Sequence, residues 1–196
     1  MPLERLRSTG RRDSGTVAVE TAIVSLFLVV LLFGIVESAF LFKDWLTVSA
    51  AARAGARMGA SEPNQWIDNG PAALAQDSAN QVTNAFSGLS PANRLEVWVY
   101  KTSGPGNPPS GLPASCTTNC MKYTWPTGAT ALQFLSGTWA SIPYNFCAGD
   151  ANRYSLGVYV KYQHTSPLGF FFNNATVSES TVMWIEPTTK PICFKP

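Results

Sequence analysis

From Thr21 to Val36 the chain reads TAIVSLFLVVLLFGIV, a run without a charged side chain, with Glu20 before it and Glu37 after it. Apolar character resumes at Ser38-Ala39-Phe40-Leu41-Phe42. As one helix, 21–42 spans about 33 Å, enough to cross the hydrocarbon core of a bilayer. In that register Glu37 lies near the outer interface, and Trp45 follows at a depth suited to an interfacial aromatic. No proline interrupts the helical pattern before Ser61-Glu62-Pro63, so the helix is expected to run to about Gly59. Residues 16–59 then form a rod of roughly 66 Å. Small residues recur along its outer part, at Ala52, Ala56 and Ala60 with Gly55 and Gly59 beside them. That face packs either on the protein's own sheet or on a neighbouring helix. Arg53 and Arg57 share another stripe and are expected to face water.

The rest of the chain changes period. A turn is expected at 61–70, and then a short helix from Pro71 to Phe86 with proline in its first turn. Leu95 to Lys101 alternates with a two-residue period and reads as a strand. Residues 102–120 are rich in Gly, Pro, Ser and Thr and read as a long loop. Tyr154–Gln163 and Thr176–Ile185 read as two further strands, joined by a connection short enough for antiparallel pairing. The fold class expected is α+β, with a long N-terminal transmembrane helix continuing into an extracytoplasmic domain that holds a small antiparallel sheet. The domain organisation follows as a cytoplasmic leader at 1–15, a transmembrane helix at 16–42 and the extracytoplasmic domain at 43–196.

Charge sets the orientation. The 196-residue chain carries a net charge of +2, and the first fifteen residues hold all of it: Arg5, Arg7, Arg11 and Arg12 against Glu4 and Asp13. Arginines just before the apolar run place the N-terminus in the cytoplasm. The remainder is neutral, with no basic field to attract nucleic acid. A cleaved secretory signal is the competing reading of a basic start and an apolar run. Glu20 at the mouth of the run argues against it, because an ionisable residue in a membrane segment has a partner or a task.

The cysteines and the other polar residues bound the chemistry. Cys116, Cys120, Cys147 and Cys193 make an even count, which outside the cytoplasm predicts two disulfides of open connectivity. A zinc site is disfavoured by the Cys116-x-x-x-Cys120 spacing and by the presence of one histidine, His164. No nucleophile, phosphate-loop or metalloprotease motif appears, so no catalytic, cofactor-binding or metal residue is assigned and the chain is not expected to be an enzyme. His164 reads as a surface or strand-end residue, and Asp150 and Glu179 as solvated acids. Phe170, Phe171 and Phe172 form either a hairpin tip buried against a neighbour or a lid on the domain's own core.

Arg11-Arg12-Asp13-Ser14-Gly15-Thr16-Val17-Ala18-Val19-Glu20, followed at once by the apolar run, resembles the start of TadE-like pseudopilins. These are small subunits of the tight-adherence (Tad) pilus system, a branch of the type IV pilus machinery. The alanine- and arginine-rich stretch from Thr47 to Arg57 extends the resemblance. So does the order Val158–Tyr162, Pro167-Leu168, Val182–Pro187 near the end. Together the similar stretches cover 11–60 and 155–187. Where the family often has tyrosine after the glutamate, Thr21 stands here.

The resemblance implies cleavage by a prepilin peptidase on the cytoplasmic side, at the Gly15–Thr16 bond, which makes Glu20 the fifth residue of the mature chain. It further implies that Glu20 pairs with the new Thr16 ammonium group of a neighbouring subunit. In low-dielectric lipid either charge alone is costly, so the pair sets the axial register of two helices. The partners implied are other Tad pilins and pseudopilins, the prepilin peptidase and the inner-membrane assembly platform. The function implied is that of a minor pilin which takes part in pilus assembly or priming, at the inner membrane or in the pilus at the cell surface. The alternative is a membrane-anchored, disulfide-stapled module that binds a surface or extracellular ligand through 102–150.

Overall fold

The computed structural model describes residues 13–86, 88–103, 115–126, 129–141, 144–148, 150, 153–169, 171–172 and 174–187. One helix, α1 (Asp13–Ser61), carries the whole apolar run and continues without a break into the domain. It is followed by α2 (Pro63–Asn69) and α3 (Pro71–Ala85), and then by five strands. These are β1 (Arg94–Ser103), β2 (Cys120–Thr124), β3 (Gln133–Thr138), β4 (Tyr154–Gln163) and β5 (Thr176–Trp184). All neighbours pair antiparallel, in the order β3-β2-β1-β4-β5. The fold is α+β, as the residue pattern predicts.

Three elements depart from that prediction. The expected turn at 61–70 holds α2, which starts on Pro63 and is anchored by the buried Trp66. Trp66 packs edge-on against Trp139 and Phe146, and its indole N–H donates to the Ser141 carbonyl at 3.1 Å. A helix this short has little intrinsic stability, so a tryptophan packed from elsewhere in the chain decides it. β2 and β3 are the other additions. β2 has five residues, too few to display a period, and β3 is an exposed edge strand without an apolar face.

The core lies between the helices and one face of the sheet. From Glu37 outward, α1 buries a stripe at helical spacing: Glu37, Val48, Ala51, Ala52, Gly55, Ala56, Gly59 and Ala60. This stripe meets α3, β4 and β5. Glycine is required where the backbones come closest. A Cβ on Gly55 would lie 2.6 Å from Val82 Cγ2, and one on Gly59 would lie 2.9 Å from Leu156 Cδ1. The small-residue face therefore packs on the protein's own α3 and sheet, and Arg53 and Arg57 are exposed as expected. After β5 the chain returns to the helix, and the Glu186 N–H donates to the Ala60 carbonyl at 2.8 Å, which satisfies one of the acceptors α1 leaves open at its end.

Arg94 closes the gap between α3 and β1. Its guanidinium donates to the Phe86 and Leu89 carbonyls and lies 5.4 Å from the Phe86 ring centre. Burial lowers its pKa, opposed by the neighbouring Tyr162. The other face of the sheet carries a smaller cluster of Tyr100, Tyr159 and the Cys116–Cys120 disulfide. Cys147 is also disulfide-bonded, and Cys193 lies outside the described residues.

Candidate functional site

Along α1 the surroundings change at Phe33–Gly34. From Val17 to Leu32 every side chain is exposed, including Val24, Phe27 and Leu31. The helix that carries this part, from Gly15 to Ser61, is long and apolar enough to cross a membrane by length and composition. Gly15 and Thr16 lie on the first turns of the helix and are exposed, and a Cβ on Gly15 would meet nothing within 4 Å. Glu20 is exposed and has no hydrogen bond or ion pair among the described residues. A shallow groove of Thr21, Val24, Ser25 and Leu28 adjoins it.

The second carboxylate that brackets the apolar run is held differently. Glu37 is fully buried, beneath the connection between β4 and β5. Its Oε1 accepts from Ser166 Oγ at 2.8 Å, and its Oε2 accepts from the backbone N–H of Phe171 at 2.7 Å and of Phe172 at 3.3 Å. Ser166 Oγ in turn accepts from the N–H groups of Leu168 and Gly169, at 3.2 and 3.1 Å. Gly169 takes a positive φ of 72°, where a side chain would be strained. One carboxylate and one hydroxyl thus organise a loop whose sequence shows no regular structure.

Two turns further out, on the same face, Asp44 meets His164. The His164 Nδ1 and Asp44 Oδ2 atoms are 2.7 Å apart, His164 is 1 % exposed, and its Nε2 is buried without a hydrogen bond among the described residues. The neighbouring Trp45 donates its indole N–H to Glu179 of β5. These contacts correct three expectations. His164 stands at the end of β4, as the strand-end reading expects, but it is a buried partner of the helix rather than a surface residue, because β4 ends beneath Asp44. Glu179 is bonded to Trp45 rather than simply solvated, and Asp150 accepts from Asn145 Nδ2 at 3.1 Å. Phe171 and Phe172 do not cover the domain core: they are 54 % and 36 % exposed and line a groove with Phe27, Val30, Leu31, Gly34, Ile35 and Ser38 of α1. Phe170 lies outside the described residues.

Set against known families, residues 15–57 match the model of TadE-like proteins. The helix is TadE-like. The match takes in Gly15, Thr16, Glu20, Glu37 and Asp44, and it suggests a Tad pilus-associated protein anchored in a membrane through this TadE-like helix. It bears out the first stretch of the resemblance, while the second, 155–187, lies beyond it. No curated protein and no solved structure matches the chain. The residues that grip the TadE-like helix, His164, Ser166, Phe171, Phe172 and Glu179, are therefore read from geometry alone. One sequence signal pointed toward them: a carboxylate at position 37, at the end of an apolar run, calls for donors.

Proposed function

We propose that this protein is a minor pilin, a non-enzymatic subunit that takes part in assembling or priming a Tad-type pilus. The N-terminus is cytoplasmic, α1 crosses the inner membrane and the sheet domain stands outside. A prepilin peptidase hydrolyses the Gly15–Thr16 bond, and Glu20 then pairs with the Thr16 ammonium group of a neighbouring Tad pilin or pseudopilin. The assembly platform of the inner membrane receives the subunit through the exposed helix.

One observation carries this reading: of the two glutamates that bracket the apolar run, Glu37 is satisfied within the chain while Glu20 has no partner among the described residues. A carboxylate on a lipid-facing helix is retained at a cost unless another molecule supplies its partner. The TadE-like match over the same helix supports a pilin as that molecule.

A Cβ at Gly15 meets nothing within 4 Å among the described residues, so Gly15→Leu tests processing rather than packing. The wild-type mature chain is expected to begin at Thr16 and Gly15→Leu to retain the leader; a wild-type chain that still begins at Met1 would refute processing. Glu20→Ala is expected to mature normally and to lose co-purification with Tad pilins. Undiminished co-purification would rule out the pairing.

A further inference from the structure

We propose that the loop between β4 and β5 is a second membrane contact, an aromatic wedge that Phe171 and Phe172 drive into the outer leaflet beside α1. The inference rests on the reading that α1 crosses the membrane.

Position is the first ground. The exposed apolar surface of α1 does not stop at the loop. It continues outward through Ile35 and Val36 to Phe40, Phe42, Trp45 and Leu46. Phe171 and Phe172 sit lower, against Phe27 to Ser38, and a Cβ on Gly34 would lie 3.9 Å from the Phe171 ring. Gly34 and Phe42 are about 12 Å apart along the helix axis. With a span of 21–42 the wedge is well inside the apolar layer. If the bilayer instead matches Val17 to Val36, about 30 Å of helix, the wedge sits at its outer edge. Either register puts the two rings in the leaflet.

Hydrogen bonding is the second, independent ground. A loop in water leaves its backbone N–H groups to the solvent, whereas a loop in lipid must satisfy them from within the protein. Here the N–H groups of Leu168, Gly169, Phe171 and Phe172 all have acceptors inside the chain, two on Ser166 Oγ and two on Glu37. Glu37 and Ser166 are enclosed by the same contacts, while Leu168, Phe171 and Phe172 at the tip are exposed, with the exposed polar residues Thr165 and Asn174 nearer its ends. Exposed aromatic and aliphatic side chains over these four satisfied N–H groups fit the interfacial zone of a bilayer, where such groups insert about 5 to 10 Å.

The test uses the full chain in phosphatidylethanolamine–phosphatidylglycerol vesicles, with a nitroxide on a single introduced cysteine. Phe171→Cys keeps the backbone bond to Glu37. Leu28→Cys reports on the helix and the exposed Ala72→Cys reports on α3. Collision rates with oxygen and with a water-soluble nickel chelate give the depth. The wedge predicts that the label at 171 meets oxygen several-fold more than nickel, as at 28 and opposite to 72. A label at 171 that meets nickel as freely as the one at 72, while 28 stays in lipid, overturns the wedge alone. If 28 also meets nickel, the membrane span falls and the wedge with it. A label at 171 shielded from both reagents points to a protein neighbour and likewise overturns the wedge.

Discussion

The inner and outer parts of α1 are one unbroken helix in two surroundings. From Val17 to Leu32 every side chain is exposed and apolar residues point in all directions. From Glu37 to Ala60 one stripe is buried to the level of a protein core, and glycines and alanines replace the large residues. The same contrast holds between two residues of one kind. Glu20 has no partner among the described residues, whereas Glu37 accepts from Ser166 and from the backbone of Phe171 and Phe172. Helical geometry is equally good in both parts, so the difference lies in what the surfaces are for. The inner part leaves its surface exposed, and the outer part gives its surface to the domain.

Substitutions at the close approaches test this division most severely. Gly59→Leu and Gly55→Leu place a side chain where a Cβ already overlaps Leu156 or Val82, and either is expected to cost about 3 kcal/mol or more. Gly34→Ala, at the border of the bare part, has room, and the better helix former is expected to add up to about 1 kcal/mol. Denaturation of the full chain in detergent, followed by near-ultraviolet circular dichroism, measures both. Equal effects at 34 and 59 would erase the distinction.

The two glutamates come next. Glu37→Ala strands the hydroxyl of Ser166 and two backbone N–H groups, with an expected loss of about 2 to 3 kcal/mol. Glu20→Ala should change stability by less than about 0.5 kcal/mol, because Glu20 is exposed and has no partner among the described residues. The same denaturation curves decide the matter, and a stability loss at Glu20 matching that at Glu37 would contradict the contrast. Asp44→Ala removes the partner of a buried imidazole whose other nitrogen already lacks one. An effect of about 1 to 2 kcal/mol is expected, read from the same denaturation curves.

The mildest effect comes with pH and touches only the domain. Burial raises the pKa of Tyr100, Tyr123 and Tyr162, opposed at Tyr100 by a hydrogen bond with Ser180. Above the ordinary phenol pKa of about 10, the unfolded chain gives up these protons before the folded one does, so the folded state holds more protons and stability falls as pH rises. Stability is unaffected by these groups below that point. Helix α1 contains no tyrosine, so alkaline titration should melt the near-ultraviolet signal of the domain while far-ultraviolet helicity from the inner part of α1 persists in detergent. Simultaneous loss of both signals would show that the parts are not separable.

Much of this architecture is legible in the residues, and the reasons are local. A long apolar run without a helix breaker gives α1; two-residue alternation gives β1; Pro71 followed by apolar residues at helical spacing gives α3. The TadE-like start is legible too, since Gly15, Glu20 and the run behind them are contiguous. What escaped has a common cause. α2 depends on Trp66 meeting Trp139 and Phe146, and β2 and β3 depend on pairing with β1 and with each other. The grip on Glu37 and Asp44 joins residues more than a hundred positions apart, and a lone histidine and a serine near a Pro-Leu turn give no sign of it.

By itself, the sequence determined that an apolar helix with a carboxylate at each end leads a mixed domain, because period, breakers and charge placement act over a few residues. Only the tertiary structure decided which carboxylate the chain would satisfy. A hydrogen bond requires its donor within about 3 Å of the acceptor, and the return of β4 and β5 along α1 brings donors to Glu37 and, among the described residues, none to Glu20.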